Sequence, residues 1–506
     1  MNGSELLAMQ ARRSPHQEAI VSNGNRVTYE EWNHSVNQLA NGLATLGVGK
    51  GEKVVLHMPN TEEFLYTYFA VQRLDAVVVP INAKLVYDEI LYIVEHSDAK
   101  AFLTHDLLFP QVAPLADSNL ICLKTGGAED GWRSIEALMK ASPDTPRTST
   151  TTEDDEVALL YTSGTTGKPK GVLFTNRNIQ TVATMMAIEM KMEPDSRVLH
   201  MMPLSHSAPL HLFMMSTTYV GATHILAPTF SPELLLDLVS KEHVTHFFGA
   251  PVAYLLTAKH PNVKDYDLSS MQYWVYGGAP LGTEEVEFVK EQFQTDRLMC
   301  VYGLTEAGPN GTLLLPEEHK GKSGSIGRRP ALNSEIELVD ENGEPARPGE
   351  VGEIVLKGKG VMKGYYKDPE KTHEVLRNGW LYTGDVGKRD EDGFFWVIDR
   401  KKDIIISGGV NIFPKEIEEV LQAHPSVAEV AVVGIPHPDW GETVKAFVVP
   451  QNGIEPSPQE LSSFLEGKVA GYKIPRVYEN LEALPRNATG KLLKHQLRQA
   501  EAVKEV

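Results

Sequence analysis

The chain has 506 residues, of which 48 are Lys or Arg and 67 are Asp or Glu, so its formal net charge is −19. Its length predicts about three domain-sized units, and its hydrophobic share of 42% is that of a globular protein. An acidic surface repels phosphate backbones, which argues against nucleic acid as a partner. A phosphorylated small molecule stays compatible with this charge, because it needs only a local cationic pocket.

The cysteines and the chain ends indicate no special environment. Cys122 and Cys300 lie far apart, without the spacing of a zinc site or a disulfide framework, so we expect both to be small buried side chains. No secretion signal begins the chain, no peroxisomal tripeptide ends it, and no apolar run reaches the roughly 18–20 residues that span a bilayer. We therefore expect a cytoplasmic protein without a transmembrane segment.

Up to about residue 335 the chain alternates short apolar runs with amphipathic helical stretches. Residues 53–58 and 76–80 predict buried strands, and residues 61–74 between them carry apolar side chains at helical spacing. A strand, a helix and a strand over this distance form a βαβ unit. The predicted fold class is therefore α/β, with such units forming the sheets of a large N-terminal domain.

The rhythm changes near residue 336, where short strands alternate with turns rich in Gly, Pro and Asp. This pattern predicts a small β-rich subdomain over residues 335–399. Its predicted strands are residues 336–339, 352–356 and 394–398.

A compact α/β unit follows the charged residues 399–403. Its first helix begins near Pro414, and residues 427–435 and 444–449 predict its strands. The predicted domain organisation is an N-terminal domain at 1–399, a hinge at 400–402 and a C-terminal domain at 403–506.

The strongest signal for function is a loop at residues 161–171, which reads YTSGTTGKPKG between two predicted strands. Its glycines leave backbone N–H groups accessible, and its hydroxyls and two lysines add donors and positive charge, as a phosphate chain requires. A Walker-type P-loop needs Ser or Thr directly after the lysine, whereas Lys168 is followed by Pro169, so that alternative fails. A plain polar hairpin is the remaining structural alternative.

This loop resembles the signature of adenylate-forming enzymes, the superfamily of acyl-CoA synthetases, peptide-synthetase adenylation domains and firefly luciferases. Four further motifs follow in that superfamily's order, so the resemblance spans nearly the whole chain: YGLTE at 302–306, YTGD at 382–385, DRKKD at 399–403 and PRNATGK at 485–491. The resemblance implies an ATP-dependent acid–thiol ligase that joins a carboxylic acid to AMP, releases pyrophosphate and passes the acyl group to coenzyme A. It also implies a small mobile C-terminal domain that rotates about the hinge.

The chemistry of this reaction explains the residue types. Attack of a carboxylate on the α-phosphate brings two anions together, so the site must supply cations and hydrogen-bond donors. The resemblance implies catalytic roles for Lys491, Glu306, His206 and Lys402, with His206 beside the acyl carboxylate and Lys402 at the hinge. Thr162 and Glu306 are the implied ligands of Mg²⁺, a hard cation that prefers oxygen.

The resemblance also implies the residues that bind the nucleotides. The implied phosphate-binding residues are Thr162, Ser163, Gly164, Thr165, Thr166, Gly167 and Lys170. The implied base- and ribose-binding residues are Gly277, Gly278, Ala279, Tyr302, Gly303, Thr305, Asp385 and Arg400. The implied coenzyme A residues are Ser407, Gly408, Gly409, Trp440 and Tyr472. A turn Asp, a solvated Glu or a satisfied structural His is the alternative for single members of these sets.

Several functions remain open within the superfamily. Ser407 with its two glycines and Trp440 favour free coenzyme A over a stand-alone adenylation enzyme that loads a carrier protein. A luciferase-like monooxygenase and a non-enzymatic binding protein fit less well. The setting of Lys491 resembles acetylated sites of bacterial acyl-CoA synthetases, which makes a lysine acetyltransferase a candidate partner, and a homodimer is a candidate assembly.

The identity of the acid is the least determined feature. Residues 246–254 match the superfamily's acyl-pocket region and contain neither Arg nor Lys, so a second carboxylate would be buried unpaired. Small residues around the expected tunnel leave room for a chain: Gly277, Gly278, Gly303, Gly308 and Gly311. We expect a fatty acid of medium or longer length, then aryl acids, then short dicarboxylates. The alternative is that Phe247, Phe248 and Tyr254 are simply core.

Overall fold

A computed structural model of the chain describes residues 2–117, 119–162, 169–407, 410–438, 440–486 and 492–504. The chain divides into two compact units, which are Met1–Ile336 with Val355–Tyr382, and Glu337–Ile354 with Thr383–Val506. The predicted α/β fold is confirmed. The hinge at residues 400–402 and the domain boundary beside it stay predictions.

Two large sheets form the centre of the first unit. The nine-stranded sheet has the order Arg329–Pro330, Thr312–Leu314, Leu298–Tyr302, Tyr273–Gly277, His246–Gly249, Arg197–His200, Thr223–Leu226, Glu18–Ser22 and Asn25–Thr28. The eight-stranded sheet has the order Gly364–Tyr365, Lys170–Thr175, Glu156–Thr162, Val77–Pro80, Lys53–His57, Ala99–Thr104, Ile121–Lys124 and Arg133–Ser134. The central strands of both sheets are parallel, and antiparallel pairs lie at the edges.

Helices connect the parallel strands, as a parallel sheet requires. The predicted βαβ unit is confirmed as Lys53–His57, Glu62–Arg73 and Val77–Pro80. The α-helices of this unit are Gly3–Arg13, Tyr29–Thr45, Glu62–Arg73, Tyr87–Ser97, Phe109–Val112, Ile135–Ala141, Asn176–Glu189, Met215–Val220, Pro232–Glu242, Pro251–Ala258, Thr283–Phe293 and Pro369–Val375. Short 3₁₀ turns are Asp106–Leu108, Ala113–Asp117, Val263–Asp265, Thr305–Ala307 and Pro316–Glu318, and Ala208–Met214 is a π-helix.

Each large sheet has its own apolar core. Val55, Phe102 and Leu159 belong to the core against the eight-stranded sheet, and Val275 and Met299 to that against the nine-stranded sheet. Both cysteines are buried and free, as predicted. Cys122 lies in a strand of the eight-stranded sheet, and Cys300 lies in a strand of the nine-stranded sheet.

A five-stranded sheet confirms the β-rich pattern predicted after residue 335. Its strands are Ser334–Val339, Val351–Gly358, Trp380–Arg389 and Leu376–Arg377 in that order, with Phe395–Arg400 pairing on Trp380–Arg389. The first three strands named run from one unit into the other.

The second unit contains a smaller α/β arrangement. Its sheet has the order Val410–Ile412, Ile405–Ser407, Gly441–Pro450 and Val427–His437, with Val477–Asn480 pairing on Gly441–Pro450. Its helices are Pro414–Gln422, Pro458–Leu465 and Lys494–Lys504, with 3₁₀ turns at Lys401–Asp403 and Gly471–Lys473. The predicted start of the first helix at Pro414 is confirmed. Across the described ranges of both units, every helix is too short or too polar to span a membrane.

Two glycines with positive φ differ in what surrounds them. Gly24 (φ 84°) closes the hairpin between Glu18–Ser22 and Asn25–Thr28, and a Cβ there would meet nothing within 4 Å. Gly308 (φ 80°) ends the turn Thr305–Ala307, and a Cβ there would lie 2.1 Å from the Gly360 carbonyl oxygen. Gly308 is therefore required by a close approach of two backbones as well as by its conformation.

We expect Gly24→Ala to lower the free energy of unfolding by about 1–2 kcal/mol, which is the cost of a left-handed conformation for a residue with a Cβ. Gly308→Ala should lower it by several kcal/mol more, because the backbone of residue 360 must also move. Denaturant unfolding of the two variants beside the wild type measures the difference. Equal losses would show that the contact at Gly308 relaxes without cost.

Candidate active site

The carboxyl ends of parallel strands bring predicted site residues together in the first unit. In the nine-stranded sheet Gly277 and Tyr302 end adjacent strands, and His206 follows the strand Arg197–His200. In the eight-stranded sheet Thr162 ends the strand Glu156–Thr162. Ligands of open α/β sheets bind outside the carboxyl ends of the strands, so these positions suit a nucleotide site.

Hydrogen bonds join the loops that leave different strands. Asn82, which follows the strand Val77–Pro80, places its Nδ2 3.2 Å from Nε2 of His206. The next residue, Ser207, shares a hydrogen bond of 2.9 Å between its Oγ and Oγ1 of Thr305. Burial lowers the pKa of His206, which keeps its imidazole neutral at neutral pH. The segment with His206 therefore contacts a loop of the eight-stranded sheet through Asn82 and a loop of the nine-stranded sheet through Thr305.

Glu306 lies in the turn Thr305–Ala307, just beyond the strand that Tyr302 ends. The Tyr365 hydroxyl donates a hydrogen bond of 2.8 Å to its Oε1. Burial and the Glu306 carboxylate raise the pKa of this phenol, so it stays protonated and keeps donating. Tyr365 thereby fixes the orientation of the carboxylate.

Lys170 lies close to the Tyr365 side chain, with its Nζ 5.3 Å from the ring centroid. Burial and the charge of Lys371 lower the pKa of Lys170, and the Glu306 carboxylate partly offsets them. In the antiparallel pairing Lys170 stands opposite Thr162, so the two ends of the phosphate loop are adjacent. A carboxylate, a lysine and a threonine hydroxyl are thus available to a phosphate chain and its cation.

The residues present fit Mg²⁺ better than a metal held by protein alone. Mg²⁺ is bound by one or two carboxylates together with substrate phosphates and water, and Glu306 with Thr162 would supply such a partial set. Across the described parts of the chain, Asp, Glu, His and Cys form no group of three or more that could hold an ion.

The predicted adenine residues lie on adjacent strands. Gly277 pairs in register with Val301, which directly precedes Tyr302. Gly277 is buried, whereas Gly278 and Ala279 are exposed and Tyr302 is half-buried. A partly exposed tyrosine ring beside an open glycine backbone suits stacking on a planar base.

The second unit brings Asp385 and Arg400 together. They stand opposite each other on the strands Trp380–Arg389 and Phe395–Arg400, and Nε of Arg400 lies 2.6 Å from Oδ1 of Asp385. The Asp385 side chain is only 6% exposed, so a charged partner is what makes its burial tolerable. This rigid carboxylate is suited to accept hydrogen bonds from ribose hydroxyls.

Two of the predicted coenzyme A residues, Trp440 and Tyr472, are exposed in the second unit. Ser407 ends the strand Ile405–Ser407. The Trp440 ring stacks on His437 at 5.2 Å, and the Arg476 guanidinium lies 3.4 Å from its centroid. Tyr472 is 57% exposed. An exposed indole beside a guanidinium suits a base that carries a phosphate nearby.

Several predicted residues lie outside the described ranges, and for one described residue, Lys402, no contact bears on its predicted role. The residues outside are Ser163, Gly164, Thr165, Thr166, Gly167, Gly408, Gly409 and Lys491. Lys402 lies in the turn Lys401–Asp403 and is exposed. The roles of all these residues stay predictions.

The predicted acyl segment, residues 246–254, divides between core and surface. Phe247 and Tyr254 are fully buried, and each ring lies 6.1 Å from that of Trp274. The expectation that these two line the acyl pocket is wrong, because they fill the core. Phe248 points to the other face of its strand, where its half-buried ring lies 5.2 Å from Phe213.

The five glycines expected to leave room for a chain differ in what they face. A Cβ would lie 2.0 Å from a backbone oxygen at Gly303, 2.1 Å at Gly308 and 2.8 Å at Gly277 and at Gly311. These four glycines let backbones approach each other, so the volume they leave is taken up by main chain. A Cβ at Gly278 would meet nothing within 4 Å, so only there is the expected room present.

Three residues that contact the predicted site carried no motif of their own. In the sequence, Tyr365 is an aromatic residue like others in strands, and Ser207 is one of many loop residues with a hydroxyl group. Asn82 had a usable signal, since it is a polar residue just past the carboxyl end of a buried strand.

Comparison with known proteins identifies the family. The sequence model of the AMP-binding enzyme family matches residues 7–366, and that of its C-terminal domain matches residues 416–491. The chain belongs to the AMP-binding enzymes. The predicted membership of the adenylate-forming superfamily is thereby confirmed, and the chain is an ATP-dependent acid–CoA ligase of this family.

Relatives of this AMP-binding enzyme act on different acids. The feruloyl-CoA synthase of Amycolatopsis sp. is 39% identical over 491 residues, which cover 96% of each chain. The long-chain-fatty-acid–CoA ligase of Bacillus subtilis (strain 168) is 35% identical over 98% of this chain and 94% of its own. The crystal structure of ATP-bound MatB from Rhodopseudomonas palustris has a TM-score of 0.89 at 30% identity, with 99% of both chains covered.

We expect Tyr365→Phe to reduce the rate of acyl-AMP formation by about 10- to 100-fold, the usual effect of removing a group that orients a metal ligand. The loss should be partly restored by raising the Mg²⁺ concentration, because the variant leaves the Glu306 carboxylate less well oriented. Pyrophosphate release over a Mg²⁺ series measures both effects.

Tyr366→Phe is the matched control. It makes the same change at the next residue, whose hydroxyl donates to Asp98 instead. Its adenylation rate and Mg²⁺ dependence should stay near those of the wild type. A similar loss in both variants would mean that the segment matters only for stability.

Proposed function

We propose that this ligase activates a carboxylic acid with an uncharged, apolar tail, and that aromatic acids of the ferulate type are its first candidates. The observation that carries the proposal is the pair Phe248 and Phe213, whose rings lie 5.2 Å apart with an interplanar angle of 31°. A Cβ at Gly277 would lie 3.1 Å from the Phe248 ring, so this ring stands directly beside a predicted site residue. A flat aromatic tail can stack on such a ring at offset or tilted geometry.

The charge of the segment supports an uncharged tail. Residues 246–254 contain no Arg or Lys, so a carboxylate at the far end of the acid would have no cation in this segment. Removing one partner of a buried pair costs about 3–5 kcal/mol, and an unpaired buried carboxylate is penalised in the same way. The 39% identity to a feruloyl-CoA synthase adds support for an aromatic acid.

A fatty acid is the second candidate, because a long-chain-fatty-acid–CoA ligase is 35% identical over nearly the same length. It ranks second in this proposal because Gly277, Gly303, Gly308 and Gly311 face backbone oxygens, so these four glycines add no space for a chain on their Cβ side.

Different residues carry different parts of adenylation in this proposal. Lys170 and the phosphate loop bind the phosphates, Tyr302 stacks on adenine, and Glu306 with Thr162 holds Mg²⁺, which when bound neutralises phosphate charge. Asp385, fixed by Arg400, accepts hydrogen bonds from the ribose. The carboxylate and the α-phosphate are both anions, so these fixed groups lower the barrier by stabilising the negative charge of the transition state rather than by transferring a proton.

Coenzyme A is proposed to use the surface of the second unit. Trp440 would stack on its adenine, and Arg476, 3.4 Å from the indole centroid, would meet its phosphate. Tyr472 and the glycines after Ser407 complete the predicted set. The proposal is separate from that for adenylation, because acyl-AMP forms before the thiol is needed.

The acid preference is tested with ferulate, benzoate, octanoate, dodecanoate and malonate in parallel, with ATP and coenzyme A. We expect ferulate to give the highest kcat/KM and malonate the lowest, with AMP, pyrophosphate and thioester in equal amounts. An increase of severalfold for every two carbons, from about 0.8 kcal/mol per buried methylene, would favour the fatty acid instead. Preference for malonate would contradict an uncharged tail, and formation of ADP would contradict adenylation itself.

Lys491→Ala should lower the rate of acyl-AMP formation by about 10²–10⁴-fold, the loss expected when one stabilising group is removed from a transition state. Conversion of chemically made acyl-AMP to thioester should stay near the wild-type rate, since that step needs no cation at the α-phosphate. Rapid-quench assays of the two half-reactions measure both.

Two further variants at Lys491 serve as comparisons. Lys491→Arg keeps the charge and should retain more adenylation than Lys491→Ala. Lys491→Gln mimics acetylation, and its loss should equal that of Lys491→Ala if acetylation is an off switch. Equal damage to both half-reactions in all three variants would show that the residue is structural.

A further inference from the structure

Asn82 is buried and makes two directed hydrogen bonds through its side chain. Its Oδ1 accepts the backbone N–H of Lys84 at 2.8 Å, and its Nδ2 lies 3.2 Å from Nε2 of His206. It follows the strand Val77–Pro80, which pairs with Glu156–Thr162, the strand leading to the phosphate loop. The Asn82 side chain thus connects the eight-stranded sheet to the loop that follows the strand Arg197–His200 of the nine-stranded sheet.

The bond to Lys84 determines which way the amide points. A backbone N–H can only donate, so the atom facing Lys84 must be the amide oxygen. The NH₂ group then faces His206. Because an amide NH₂ can only donate, Nε2 of His206 must accept and cannot carry a proton.

The position of the imidazole proton follows from this contact. The ring is neutral at neutral pH, so its one proton is on Nδ1. In the part of the chain that the structure describes, the His206 ring has one hydrogen bond, which is the one between Nε2 and Asn82, and burial lowers its pKa. The hydrogen bond from Ser207 to Thr305 holds the adjacent residue against the turn that carries Glu306.

We propose that Asn82 is a positioning residue that holds His206 as its Nδ1–H tautomer, so that His206 donates a hydrogen bond to the carboxylate of the acid. This inference rests on the proposed function. A carboxylic acid with an ordinary pKa near about 4 is already ionised at neutral pH, so its attack on the α-phosphate needs no base. His206 therefore orients the carboxylate and stabilises its charge, and no proton moves in this step.

Asn82→Asp separates this role from a purely structural one. An aspartate keeps the bond to the Lys84 N–H but presents an oxygen to Nε2 of His206. His206 must then carry a proton on Nε2, and the adjacent carboxylate raises its pKa. Below that raised pKa the ring has both protons and still donates through Nδ1; above it, the ring keeps only the Nε2 proton and Nδ1 presents a lone pair to the acid.

The tautomer can be read without any substrate. Nitrogen NMR of protein labelled in its histidine rings, with the His206 signal assigned by its absence in His206→Asn, should show a protonated Nδ1 in the wild type. Asn82→Asp should show a protonated Nε2. A protonated Nε2 in the wild type would overturn the proposal whatever the enzyme's substrate, so this outcome is distinct from a failure of the proposed function.

The second test is the pH dependence of pyrophosphate release with ferulate, or with the best acid of the panel above. Between about pH 6 and about pH 9, the range in which a histidine beside a carboxylate titrates, the rate of Asn82→Asp relative to wild type should fall about tenfold or more. Asn23→Asp, which adds the same charge at an exposed hairpin position, should show a constant ratio. A constant ratio in Asn82→Asp would contradict the proposal.

If Asn82→Asp fails to fold, two variants of His206 give the same information. The amide nitrogen of an asparagine occupies the place of Nδ1, and that of a glutamine the place of Nε2. His206→Asn should therefore retain severalfold more adenylation than His206→Gln. Equal activity of the two, or the reverse order, would show that the donor is not at Nδ1.

Discussion

The parallel direction of the central strands in both large sheets is the constraint on which the site depends. Neighbouring parallel strands end at one edge, so loops from distant parts of the chain leave the sheet side by side. Thr162 ends a strand of one sheet and Asn82 follows the adjacent strand, while Gly277 and Tyr302 end adjacent strands of the other sheet. The contact of Asn82 with His206 then joins the loops of both sheets into one site.

Charge is distributed in this chain on two different scales. The whole chain carries −19, yet the reaction requires positive charge where phosphate and carboxylate meet. Each unit has a cation beside an anion, which is Lys170 near the Glu306 carboxylate in the first unit and Arg400 against Asp385 in the second. Each cation has an anion close by, which stabilises buried charge in the absence of ligand and fixes the direction of each group.

Glycine has two opposite uses around this site, and they lead to different views of the substrate. At Gly303 and Gly308 the missing side chain lets another backbone pass within 2.1 Å of where a Cβ would be. At Gly278 it leaves open space. A glycine-rich site therefore need not be a wide one.

The sequence by itself determined the α/β class and the phosphate-binding loop, because periodicity and loop composition are local properties, and the resemblance of its motifs implied the chemistry. The strand His246–Gly249 puts Phe247 and Phe248 on opposite faces. Which face meets the core was decided by the tertiary structure, where Phe247 packs on Trp274. The tertiary structure also decided two contacts between distant residues. Tyr365 meets Glu306, 59 residues away, and Asn82 meets His206, 124 residues away. Such pairs depend on the order of strands within and between sheets, and no local pattern of side chains encodes that order.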